Sequence, residues 1–254
     1  MKPLIPHAFT GLFAVAVGMT AVGSGASAEQ VRVAVAANFT DAAVEVGRLF
    51  REQTGHEAVF SFGSTGKLYT QITQGAPFEV FLAADRRHPE RAVAEGHAVA
   101  DSRFTYATGR IVLFSIDEGR VTGPETLRNG AFTRIAIANP ATAPYGAAAV
   151  QVMQALGVHA TLAPRIVQGD SIAQTYQFVT TGNAELGFVA LSQIVGRQAG
   201  SRWLVPADLY PPLAQDAVLL ERGRDNPAAV AFMEFLKGPQ AAEVITRFGY
   251  GTGD

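Results

Sequence analysis

The chain has 254 residues, with 20 basic and 22 acidic side chains and no cysteine. The missing thiol excludes disulfides, thiolate metal sites and cysteine nucleophiles. The charges are interspersed without a basic run, which makes nucleic acid and anionic membrane poor partners.

Residues 1–28 read as a secretory signal: Lys2 gives a short basic start, Ala8 to Val22 is apolar, and Ala26-Ser27-Ala28 is a small-residue cleavage site. A retained anchor is the alternative, although the apolar run is short for a membrane span. Cleavage at Glu29 leaves 226 residues, enough for one large domain or two small ones, with 19 basic against 22 acidic side chains. The absent cysteine also removes the usual attachment point for a lipid, so the expectation is a freely diffusing periplasmic protein.

Val31 to Ala37 is a buried strand of β-branched and small residues. Asn38 follows as an expected N-cap, with Asp41 completing a capping box, and Ala42, Val46, Leu49 and Phe50 make one apolar helix face. Glu57 to Asp85 then reads as strand, tight turn, helix and second strand. At its turn, Gly63-Ser64-Thr65-Gly66 puts two hydroxyls and free backbone N–H groups at the positive end of a helix. Such a turn can hold an anion, and it can equally be an ordinary cap. It is not a P-loop, because Ser61 and Leu68 stand where glycine and a hydroxyl residue are required, and Phe62 rules out a nucleophile elbow at Ser64.

A helix is predicted over Arg86 to Gly96, and Arg103 to Ile116 is one long extended run able to walk from one lobe to another. Pro124 to Gly130 suggests a short helix. At Arg134 the opening pattern returns, RIAIANP echoing RVAVAAN, as two similar lobes would produce. Pro144-Tyr145-Gly146 opens a helix stopped by Gly157. A strand over Arg165 to Gln168 leads through Gly169-Asp170-Ser171-Ile172 into another helix, followed by the buried strand Leu186 to Ala190. Ala217 to Leu220 can return the chain to the first lobe, and helices over Val230 to Leu236 and Pro239 to Phe248 complete it. Strands alternate with helices, so the class is α/β with mainly parallel sheets. Helix starts at Asn38, Ser64–Thr65, Tyr145 and Asp170–Ile172 all follow strands, where open α/β sheets bind ligands. His56, His88, His97 and His159 are scattered without metal-pair spacing, and no acid–base constellation stands out.

From Val31 to its end the chain resembles the periplasmic molybdate-binding proteins of ABC transporters. The motifs are VAVAANF, SFGSTGKLYTQITQGAPFEVFLAAD, NPATAPYG, GDSIAQ, LGFVAL and LKGPQAAEVI. The resemblance implies two α/β lobes, residues 29–108 with 220–254 and residues 109–219, closing around an oxyanion. It implies two hinge crossovers, near Gly109–Ile116 and Gln215–Glu221. It places Asn38, Thr65, Tyr145 and Ile172 at the ligand, with Ser64 as a weaker candidate. Relatives often carry a ligand-contacting tyrosine in the region of Ala190, and Tyr145 is the residue here that could replace it.

Molybdate or tungstate is then the ligand, bound through its oxygens with no protein-to-metal bond and no cofactor. The partner is the membrane permease of a transporter, the protein a monomer and not an enzyme. Sulfate is the alternative oxyanion. The porphobilinogen-polymerising enzymes of similar architecture attach their cofactor through a cysteine, which this chain lacks.

Overall fold

The computed structural model describes Met1 and residues 28–251; the expected signal segment lies outside the described residues apart from its two ends. The strands are β1 (Gln30–Ala36), β2 (Glu57–Gly63), β3 (Val80–Leu82), β4 (Phe104–Gly109), β5 (Ile111–Ser115), β6 (Ile135–Ala138), β7 (Ile166–Gly169), β8 (Leu186–Ala190), β9 (Ser201–Leu204) and β10 (Leu213–Leu219). The helices are α1 (Thr40–Thr54), α2 (Thr65–Thr73), α3 (Arg87–Ala94), α4 (Glu125–Asn129), α5 (Pro144–Ala155), α6 (His159–Leu162), α7 (Ile172–Thr180), α8 (Pro227–Lys237) and α9 (Pro239–Arg247).

The strands form two sheets of five, ordered β2-β1-β3-β10-β4 and β7-β6-β8-β5-β9. The orders match position for position, with β1 and β6 equivalent, so the two echoing segments occupy the same place in the two lobes. Each sheet is mixed rather than mainly parallel. β1 runs parallel to β2 and β3, and β6 to β7 and β8, while β10 and β5 pair antiparallel with both of their neighbours. Parallel neighbours are joined through helical connections within a lobe. β5 and β10 instead enter directly from the other lobe, and they run against their neighbours.

Both faces of each sheet are covered, which is why the strands are apolar on both sides. Val31, Val33 and Val35 pack with α1, α8 and α9 through Val46, Phe50, Phe232 and Val244, while Ala34 faces Leu68, Tyr69 and Ile72 of α2. In the second lobe Ile135 and Ile137 pack with Ala148, Ala149 and Val152 of α5, and Ala136 packs with Val179 of α7.

The chain crosses between lobes twice. The long extended run breaks at Arg110, its two halves belonging to different sheets. The second crossing lies between β9 and β10, at residues 205–212, and not at Gln215–Glu221, because β10 is already hydrogen-bonded between β3 and β4 from Leu213 onward. The strand assigned to the second lobe up to residue 219 therefore belongs to the first sheet.

Asn38 does not cap α1. It sits in a 3-10 turn, Ala37–Phe39, and Phe39 occupies the N-cap position without a side-chain cap bond, so no capping box forms with Asp41.

Candidate functional site

Strand register builds the site. Ala36 pairs with Gly63 at the carboxyl ends of β1 and β2, which sets the Asn38 turn beside Ser64 and Thr65. Ala138 pairs with Gly169 at the same ends of β6 and β7, which sets the start of α5 beside the start of α7. The two lobes face each other across these four turns. One small cavity is lined by Asn38, Ser64, Thr65, Tyr145 and Ile172, completed by Ala36, Ala37, Gly63, Ala84, Ala143 and Pro144. All five residues singled out in the sequence line it. Ala190 does not, although it is fully buried at the end of β8.

No lining side chain carries a charge. Thr65, Tyr145 and Ile172 lie in the first turns of their helices and Asn38 in its 3-10 turn, where backbone N–H groups have no partner within the turn. Ser64 holds the N-cap position of α2, yet its side chain makes no cap bond. Its Oγ is buried and has no hydrogen-bond partner among the described residues. Thr65 Oγ1 accepts the Ala84 N–H at 3.0 Å, which leaves its own proton to donate elsewhere. Ser171, by contrast, does cap α7, accepting the Gln174 N–H at 3.3 Å.

The Asn38 amide is committed within the protein. Its Nδ2 donates to Gln215 Oε1 at 2.9 Å and to Tyr250 Oη at 3.0 Å. In this arrangement position 38 can offer the cavity its backbone N–H, and not the side-chain donor expected from the sequence. The Asn38 carbonyl accepts from Ser192 Oγ of the second lobe at 2.8 Å and from Tyr250 Oη at 2.6 Å. Burial pushes the phenols of Tyr106, Tyr145 and Tyr250 up from their ordinary range, so they remain neutral.

Further bonds hold the lobes together over the cavity. Gly66 N–H donates to the Thr142 carbonyl at 2.8 Å, and Lys67 pairs with Asp170 at 2.9 Å across the rim. A Cβ on Gly66 would stand 3.1 Å from Thr142 Cα, so glycine permits this close approach. Gln215, Tyr250, Ser192 and Thr142 were not legible as site residues. The one sequence signal among them is Gln215, which with Asp216 interrupts an otherwise apolar strand. Among the described residues no group of three or more His, Cys, Asp or Glu is placed to hold a metal ion.

Residues 31–251 match the family model of the bacterial extracellular solute-binding proteins. The chain is 55% identical to the molybdate-binding protein ModA of Rhodobacter capsulatus over 89% of this chain and 90% of that protein. It is 54% identical to the ModA of Azotobacter vinelandii over 93% of this chain and 96% of that protein. Among solved structures, the Azotobacter vinelandii periplasmic molybdate-binding protein superposes with a TM-score of 0.86 at 40% identity, covering 88% of this chain and all of that one.

Proposed function

We propose, for a chain that belongs to the bacterial extracellular solute-binding proteins and among them to the ModA family, that its cavity captures molybdate, and also tungstate, for delivery to the permease of an ABC transporter. The protein acts as a binding protein and not as an enzyme. It works in the periplasm after removal of residues 1–28, as a monomer, and its two lobes hinge about Arg110 and residues 205–212.

The observation that carries this reading is the unpartnered Ser64 Oγ in a small cavity with no charged side chain in its lining. A bare dianion taken out of water costs tens of kcal/mol, which converging donors must offset. Each hydrogen bond to a charged group recovers about 1.5–3 kcal/mol. The Ser64 and Thr65 hydroxyls and the backbone N–H groups of Asn38, Thr65, Tyr145 and Ile172 approach from both lobes, so they can surround a tetrahedral oxyanion without a cation. Charge and shape are alike among molybdate, tungstate and sulfate, so discrimination falls to cavity size.

Calorimetric titration with the three anions tests this. Molybdate and tungstate are expected to bind tightly and sulfate far more weakly. Because no lining side chain titrates near neutrality, the affinity for molybdate is expected to stay flat between about pH 7 and pH 9, below the range of the buried phenols. Tight sulfate binding with weak molybdate binding would reassign the ligand, and no binding of any of the three would end the oxyanion reading.

Two alanine variants then separate the hydroxyls. Ser64→Ala is expected to weaken molybdate binding by about 1.5–3 kcal/mol while leaving the melting temperature of the ligand-free protein unchanged, since Ser64 Oγ holds no internal bond. Thr65→Ala should lower both, because it also strips the Ala84 N–H of its acceptor. A Ser64→Ala protein with full affinity would remove Ser64 from the site.

A further inference from the structure

We infer that Gln215 is a positioning residue for this site, tying the cavity wall contributed by each lobe to the strand that leaves the second crossing. The inference rests on the oxyanion reading above. Gln215 lies outside the cavity lining and is fully buried. It is the third residue of β10, at the point where the pairing with β4 shifts register between Gln215 and Asp216.

Its amide reaches three elements. Oε1 accepts from Asn38 Nδ2 of the first lobe at 2.9 Å and lies 3.1 Å from the Tyr106 hydroxyl on β4. Nε2 donates at 3.2 Å to the hydroxyl of Tyr145, which belongs to the second lobe. The other crossing meets the same point. A Cβ on Gly109, the last residue of β4, would stand 2.2 Å from Tyr145 Oη and 2.5 Å from Gln215 Nε2. The Tyr145 phenol is thus lodged between the strands that carry the chain into and out of the second lobe, where only a glycine leaves room for it.

The chemistry makes one amide the link. Asn38 and Tyr145 both line the cavity, and each is bound through its side chain to Gln215. Asn38 Nδ2 needs an acceptor, and the Tyr145 oxygen here receives a donor. A side-chain amide carries both on one planar group without a charge. A rotation that opens the lobes about Arg110 carries Tyr145 away from Gln215, and a bond of 3.2 Å is lost with a small shift. The Gln215 bonds therefore favour the closed state, in which both residues line the cavity.

Gln215→Met keeps the volume and removes both functions. Molybdate affinity is expected to fall about tenfold or more, as three buried hydrogen bonds are lost. The change should appear mainly as faster dissociation in stopped-flow measurements, because the bonds act after the lobes close. Gln215→Glu supplies the readout that a merely structural residue would not give. The groups facing the new carboxyl are the Tyr106 and Tyr145 phenols and the Asn38 amide, with Asp216 next in the chain engaged by Arg103 and by Arg86. Both arginines are taken up by Asp216, so burial and the nearby dianion favour the protonated form of the new carboxyl. The affinity of Gln215→Glu should then rise as pH falls, in a range where the wild-type affinity is flat.

A Gln215→Met protein with wild-type affinity and dissociation rate, or a Gln215→Glu protein whose affinity follows the wild type at every pH, would overturn the inference while leaving the oxyanion reading intact. Should Gln215→Met fail to fold, the Gln215→Glu profile decides alone. Failure of the wild-type protein to bind molybdate, tungstate or sulfate would remove both.

Discussion

Asn38→Asp is expected to lose molybdate binding by a factor of a hundred or more at neutral pH. Asn38 is 4% exposed, and its amide nitrogen touches Gln215 Oε1 at 2.9 Å and Tyr250 Oη at 3.0 Å. Aspartate replaces that nitrogen with an oxygen, so an acceptor meets the Gln215 acceptor and the whole group gains a charge. No cationic side chain lines the cavity to offset it. An uncompensated buried charge costs about 3–5 kcal/mol, and repulsion of a dianion at short range adds to this in the bound state.

The sign with pH follows. Burial and the ligand both favour the protonated carboxyl, so the penalty is absent at low pH and grows as pH rises through the aspartate range and above it. Asn38→Ser removes the same two hydrogen bonds without adding a charge, and it should cost only about 1–3 kcal/mol. Calorimetry and thermal melts on the two variants measure the difference. Tight molybdate binding by Asn38→Asp at neutral pH would show that a charge at this side chain is not felt by the anion, and would remove position 38 from the immediate surroundings of the ligand.

Gly146→Ala should damage folding and binding together. A Cβ at this position would stand 2.1 Å from the Ala138 carbonyl oxygen and 2.6 Å from its carbon. Both are backbone atoms at the end of β6, buried within the sheet, and neither can rotate aside. The start of α5 must therefore lift off β6, carrying Pro144 and Tyr145 with it. Overpacking of this kind costs about 1–3 kcal/mol, which for a chain of this size corresponds to roughly 2–12 °C in melting temperature. Because Tyr145 lines the cavity, a loss of molybdate affinity of about tenfold or more is expected as well.

Gly157→Ala is the matching control. Gly157 has φ +71° past the far end of α5, and nothing lies within 4 Å of its missing Cβ. Alanine there lowers stability through backbone strain alone and leaves affinity unchanged. Equal affinity and equal melting temperature in Gly146→Ala and the wild type would show that α5 is not seated as described.

Much of this protein was legible along the chain because it is written in local patterns. Alternating aliphatics and alanines mark β1 and β6 as buried strands, and their echo anticipated the two equivalent sheet positions. Glycines past helix ends stop α1, α5 and α7 by taking the left-handed conformation, as at Gly55, Gly157 and Gly182. The hydroxyl turn at Ser64–Thr65 and the proline at the start of α5 are local features too, and so are the motifs that carry the family resemblance. A helix start that follows a strand presents its N–H groups at the carboxyl end of the sheet whatever the rest of the chain does, so the cavity-lining residues could be named in advance.

The tertiary structure decided what depends on residues far apart in sequence. Whether Asn38 caps its helix or gives its amide to Gln215 turns on a strand 177 positions later. Whether Ser64 caps α2 or stands unpartnered turns on how the chain enters the helix and what faces it from the other lobe. The second crossing fell before β10 and not within it because a ladder of hydrogen bonds to β3 and β4 claims Leu213 to Leu219, and no local pattern records which sheet an apolar strand will join. A buried polar side chain takes whichever partner the fold brings within about 3 Å. Residue types and spacing therefore determined which groups stand at the cleft, and only the packing of one lobe on the other determined which donors remain free to hold an anion.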